Sequence, residues 1–139
     1  IAAGGISDGR TMAAAFALGA EGVQMGTQML SCLESPVHIN WKESIVNARE
    51  TDTVFLNQKH SPALRALRTD RSERLADMEE NIFGQFGDPQ KLYFGGDMNA
   101  AIALSGQVAG RIDAIRPIAE IIGETVEEFS KTIDRLSKG

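Results

Sequence analysis

The sequence predicts an α/β fold built from parallel βα units, and three observations predict it. Two short apolar segments, one ending at Ala3 and one spanning Glu21 to Met25, run into small-residue pairs, Gly4-Gly5 and Gly26-Thr27. Between them Met12, Ala15, Phe16 and Leu18 recur with helical spacing, which returns the chain beside the first strand. Charge is scarce there: residues 1–33 carry only Asp8, Arg10 and Glu21, as expected of strands with a helix packed on them.

Taken in order, the first strand ends at the glycine pair, and Ser7 or Asp8 then caps the helix. Gly19 closes that helix and the second strand follows. Glycine has no Cβ, so backbone can approach a ligand closely, and N–H groups at helix starts favour an anion. Thr27 adds a hydroxyl donor. In parallel (β/α)8 barrels the loops after the seventh and eighth strands form a recurrent phosphate site, and the spacing here fits that place. A glycine pair alone is more often simply a turn; it is the two strand ends flanking one helix that carry the phosphate reading.

Ser35-Pro36 interrupts the chain, after which His38 to Ala48 is expected as a helix and Thr53-Val54-Phe55-Leu56 as a short strand. Ser61-Pro62 is expected to start a further helix carrying Leu64, Leu67 and Leu75 together with Arg65, Arg68, Arg71 and Arg74. Arginines three apart drift around a helix and do not share one face. They read as a solvated surface paired with Asp70, Glu73 and Asp77; the sharper alternative is that Arg65 or Arg68 contacts the phosphates of a nicotinamide or acyl-carrier ligand. Gly84, Gly87, Gly95 and Gly96 punctuate Phe83, Phe86, Tyr93 and Phe94, which suits either a lid or a packed connection. Asp97 to Ile112 reads as a helix with a stripe of Met98, Ala101, Ile102, Ser105 and Ala109. An amphipathic terminal helix then follows Arg116-Pro117.

The segments Ala2-Ala3-Gly4-Gly5-Ile6-Ser7-Asp8-Gly9-Arg10 and Gly19-Ala20-Glu21-Gly22-Val23-Gln24-Met25-Gly26-Thr27 resemble the FMN-binding end of nitronate monooxygenases, once called 2-nitropropane dioxygenases. They also resemble those of the related flavin-dependent enoyl-acyl-carrier-protein reductase II. The resemblance continues through Glu34 to Lys42, Gly96 to Asn99 and Gly106 to Gly110. It implies that Gly5 meets the FMN phosphate, that Gln24, Met25, Gly26 and Thr27 form the strand-eight FMN segment, and that Gly4 and Ala3 shape the turn. It also implies that the family's catalytic histidine lies upstream of the first motif, so no catalytic residue is assigned here. Gln107 is expected near the flavin end. The implied fold is the C-terminal part of a (β/α)8 TIM barrel with a small, mostly helical appended domain. Residues 1–48 would be the last two βα units, 49–95 a lid-like insertion, and 96–139 helices returning to the barrel.

The implied activity is an FMN-dependent oxidoreductase acting on a small-molecule substrate, with oxidation of alkyl nitronates by O2 ranked first. NAD(P)H-driven reduction of an enoyl group on acyl carrier protein, or of a quinone, is the alternative, and a phosphate-binding barrel without flavin is a third. A barrel needs about 250 residues, so the 139 residues here are expected to be part of a larger enzyme whose N-terminal barrel portion is a required partner. The isolated chain is expected to be inactive.

Composition narrows the rest. The net charge of −5 gives no support for nucleic acid as a partner. No apolar run is long enough for a bilayer, so a cytoplasmic location is the default and no membrane partner is expected. Cys32 is the only cysteine, which excludes an internal disulfide and reads as a small buried side chain. His38 and His60 are too far apart in sequence to suggest a metal site. His38 and Lys42, four apart, would share a helical face, but a packing role is favoured over acid/base work because no third group completes a constellation.

Overall fold

The computed structural model describes residues 1–138. Its first part is the predicted βα repeat. Strand β1 (Ala2–Ala3) pairs in parallel with β2 (Val23–Gln24), in the register Ala2 to Val23 and Ala3 to Gln24. Helix α1 (Gly9–Ala17) connects them. It begins at Asp8 with a reciprocal cap: the Asp8 carboxylate accepts from Thr11 N–H at 2.8 Å, while the Thr11 hydroxyl oxygen accepts from Asp8 N–H at 3.1 Å. It ends before Gly19, whose φ of +98° suits the left-handed position after a helix.

The long terminal helix α6 (Ile118–Lys138) lies along α1. The two approach so closely that a Cβ on Gly9 would sit 2.2 Å from the backbone nitrogen of Phe129. Phe16 and Phe129 meet edge-on beside this crossing, with ring centroids 5.0 Å apart. A short helix α2 (Thr27–Leu30) follows β2, and α3 (Ile39–Val46) buries Trp41 and Ile45 in a cluster with Leu67, Leu92, Ala103 and Ala109.

The middle of the chain departs from expectation. Strand β3 (Thr53–Leu56) is where the sequence places it, but Leu64–Leu67 is a second strand, β4, antiparallel to it, and not the start of a helix. The local sequence favours helix; pairing with β3 and burial of Ala66 and Leu67 override that preference. Helix formation begins only at α4 (Asp70–Ala76), capped by Thr69. The arginines therefore divide between a strand and a helix. Arg68 pairs with Glu73 at 3.1 Å on the surface, as the solvated reading expects. Arg71 instead donates to the backbone carbonyls of Asn99 and Gln85.

The segment Asp97–Ile112 is not a helix either. Ala100 to Ser105 runs extended between β4 and the 86–88 loop: Ala103 C=O accepts from Leu67 N–H at 2.9 Å, and Phe86 C=O accepts from Ile102 N–H at 2.9 Å. Its stripe of small residues serves this close pairing, with Ala101 and Ala103 buried. Only Gln107–Arg111 is helical, as a short 3-10 turn. In the glycine- and aromatic-rich stretch, α5 (Pro89–Tyr93) fully buries Leu92 and Tyr93 stacks edge-on against Trp41, while Phe83 and Phe94 are exposed. Residues 49–95 are thus mixed, strands and short helices together, and not mostly helical. Among the described residues the strands form two separate two-stranded sheets and no closed barrel. None of the described helices is long and apolar enough to cross a membrane.

Candidate functional site

The two strand ends form one side of a cavity of about 240 Å³. Ala3, Gly4, Gly5 and Ile6 line it from the first strand, and Gln24, Gly26 and Thr27 from the second. Gly4 and Gly5 adopt φ of +89° and +74°, backbone that a residue with a Cβ rarely takes. A Cβ built on Gly4, Gly5 or Gly26 would meet no atom within 4 Å, so these glycines face space and not neighbouring protein. Met25, expected in the FMN segment, is half-buried and does not line the cavity.

Gly106 and Val108 complete the wall from far along the chain. Thr27 Oγ1 accepts the Gly106 N–H at 2.8 Å, which ties α2 to the segment after Ser105 and leaves the Thr27 proton to donate elsewhere. Gln107, expected near this end, is exposed and its two neighbours do the lining. Sequence reasoning missed Gly106 and Val108 as site residues; the unusual Gly106 amid small residues was the only signal.

The two helix starts differ. That of α1 is already closed by carboxylates: Asp8 caps it, and Glu128 accepts from Gly9 N–H at 2.9 Å. Its dipole is therefore satisfied within the protein, which corrects the expectation that this helix start faces an anion. The start of α2 carries no side-chain cap, because Gly26 occupies the capping position. Nearby, Ser7 Oγ is buried without a hydrogen-bond partner.

Asp8 also holds two arginines. Its carboxylate meets Arg111 at 2.5 Å and Arg10 at 3.5 Å. Burial pushes its pKa up, but bonds from the Thr11 N–H and hydroxyl and from Arg111 outweigh that and hold it below the ordinary 3.8.

Neither histidine joins the cavity. His38 is the cap of α3: its Nδ1 accepts from Asn40 N–H at 3.2 Å, and its ring lies against Gly96. Lys42 is buried and donates to the Leu33 carbonyl at 2.9 Å, so the two do not form an acid/base pair. His60 bonds to the Glu79 carbonyl at 2.9 Å on the surface. Cys32 is buried as expected. Among the described residues no group of three metal-ligating side chains converges.

The sequence pattern of the nitronate monooxygenase family matches residues 1–128, nearly the whole chain. The chain belongs to this family. Probable nitronate monooxygenases of Staphylococcus aureus (strain Newman) and Staphylococcus saprophyticus are 40% and 39% identical to it over 82 residues, which is 59% of this chain and 23% of theirs. FabK from Thermotoga maritima superposes with a TM-score of 0.88 and 42% identity over 98% of this chain. A nitroalkane oxidase from Streptomyces ansochromogenes superposes with a TM-score of 0.73 at 22% identity, a likeness of fold. The chain spans 40–45% of these two solved chains.

Proposed function

We propose that this chain supplies the phosphate-anchoring end of an FMN-dependent oxidoreductase. The observation that carries the reading is the cradle itself: glycines at both strand ends, two with positive φ, bordering a cavity that no side chain of theirs fills. A phosphate fits such a place because bare backbone lets N–H groups approach its oxygens closely. Gly5 and Gly26 provide that approach, and Thr27 brings a hydroxyl whose proton is not used by Gly106. Gln24 offers an amide that can donate or accept. Ile6 and Val108, both buried, line the cavity with apolar side chains. Met25 acts as a packing residue of the same segment. Bound FMN would supply the two-electron chemistry.

At the level of reaction, family membership supports oxidation of alkyl nitronates by O2. The chain's own part is to anchor and orient, since His38, His60 and Lys42 are all engaged away from the cradle. A second reading, NAD(P)H-driven reduction of an enoyl thioester on acyl carrier protein, is favoured by the likeness to FabK, at 42% identity over 98% of the chain against 22% for the nitroalkane oxidase. An absorbance spectrum of the protein carrying this chain, followed by anaerobic addition of NADH and NADPH, tests both. Flavin left oxidised by nicotinamides and reduced by a nitronate supports the first reading, and flavin bleached by a nicotinamide supports the second. A protein that neither carries nor binds flavin overturns both and leaves a phosphate-binding barrel.

A further inference from the structure

The space at the glycine cradle continues beyond it. A larger groove, about 460 Å³, begins on the same Gly26, Thr27 and Gly106 and runs past Leu64 and Leu104 to Arg65. Arg65 is the one charged side chain among the described residues lining either space.

Its position follows from the β3–β4 register. Phe55 lies directly across from Arg65, whose guanidinium carbon sits 5.4 Å from the ring centroid. Its Nη1 donates to Thr53 Oγ1 at 3.1 Å. Both neighbours orient the guanidinium and neither neutralises it. Among the described residues Arg65 forms no salt bridge, whereas Arg68 is paired with Glu73. A half-buried guanidinium, held in place with donors left over and no counter-ion, is suited to bind an anion that arrives with a ligand. Leu64 and Leu104 provide apolar wall for the uncharged body of the same ligand.

We propose that Arg65 is a specificity-determining residue that binds a phosphate group of the second substrate, the molecule that exchanges electrons beside the anchored cofactor. The proposal rests on the second reading above, in which a nicotinamide or an acyl-carrier thioester meets the flavin. Two sources carry this chemistry: the 2′-phosphate that distinguishes NADPH from NADH, and the phosphodiester of a phosphopantetheine thioester. A small nitronate carries neither.

The test uses the flavin-loaded enzyme and two variants: Arg65→Met, which keeps an apolar stem over Phe55, and Arg65→Lys, which keeps the charge. Steady-state KM is measured for NADPH against NADH, and for crotonyl-phosphopantetheine against crotonyl-pantetheine. Losing a charge-assisted contact is expected to raise KM about tenfold or more for the phosphate-bearing member of one pair. Its phosphate-free counterpart should stay within about twofold, with flavin content and kcat unchanged, and the Lys variant should recover most of the discrimination. The pair that responds identifies the source. Equal changes in both members of each pair, no change in either pair, loss of flavin in the Met variant, or a wild-type enzyme that uses neither pair would each overturn the proposal. Flavin content of the wild type reports separately on the reading beneath it.

Discussion

At the cradle the positions that matter carry little or no side chain: Gly4, Gly5 and Gly26 shape a space by what they lack. Across the groove, the body built on β3, β4 and the Ala100–Ser105 run is held by what its side chains fill, with Leu56, Ala66, Ile82 and Ala103 wholly buried. The cradle is open at its strand edges, since β1 and β2 pair only with each other among the described residues and Ile1 is 92% exposed. In the body, β4 has β3 on one side and the Ala100–Ser105 run on the other. Truncating side chains should therefore damage the body and spare the cradle's chemistry, while adding side chains to glycines should do the reverse, except where a glycine marks a packing contact.

The largest effect is expected on the body side. Trp41→Ala removes a fully buried ring and the indole N–H that Ser105 Oγ accepts at 3.3 Å. It should cost about 3–5 kcal/mol in urea unfolding, with flavin retention unchanged in the protein that remains folded. Flavin lost in parallel with stability would show that the two regions are not separable. Next in size is Gly9→Ala, the packing glycine, whose Cβ would collide with α6 backbone. Overpacking there should cost about 1–3 kcal/mol; an unchanged denaturation midpoint would mean that α1 and α6 separate freely.

A smaller, pH-dependent effect belongs to Asp8. Because its pKa is lowered by folding, its contribution is fully present above the ordinary 3.8 and is lost as pH falls through the lower folded value. Asp8→Asn keeps a cap but loses the charge that Arg111 and Arg10 meet. Melting curves of the two proteins should differ at neutral pH and converge in acid; a constant gap from pH 7 to below 3 would assign the effect to capping alone. The smallest effect is expected from His38→Ala. Losing an exposed cap bond should cost about 1 kcal/mol or less and leave turnover unaltered, whereas a fall in kcat with flavin bound would place His38 in the chemistry.

The same contrast explains what could be read from sequence. The βα unit was legible because its signals are local: a glycine pair after an apolar run, Asp8 before helical spacing, Gly19 after it. So was the terminal helix, and so was the strand Thr53–Leu56. Leu64–Leu67 was not, because Leu-Arg-Ala-Leu has good helix formers and becomes a strand only by pairing with β3. The Ala100–Ser105 run looks helical for the same reason and is extended because Leu67 and Phe86 bond to it from across the fold. Gly106 reaches the site only through Thr27, 79 residues away in sequence, and no local pattern encodes such a contact. The resemblance groups Gly4, Gly5, Gln24, Met25, Gly26 and Thr27 as one cofactor segment, and all of these but Met25 line one cavity; it did not foresee that carboxylates close the start of α1.

The most direct measurement of the cradle reading is the flavin content of the protein carrying this chain, as wild type and as Gly26→Val. Gly26 has an ordinary negative φ and open space where a Cβ would stand, so the substitution fills the cradle without straining the backbone. Wild type is expected to retain FMN, the variant to bind it at least about tenfold more weakly, and unfolding stability to differ by no more than about 0.5 kcal/mol. A variant that keeps its full flavin occupancy and affinity would contradict the assignment of this cavity to the cofactor phosphate.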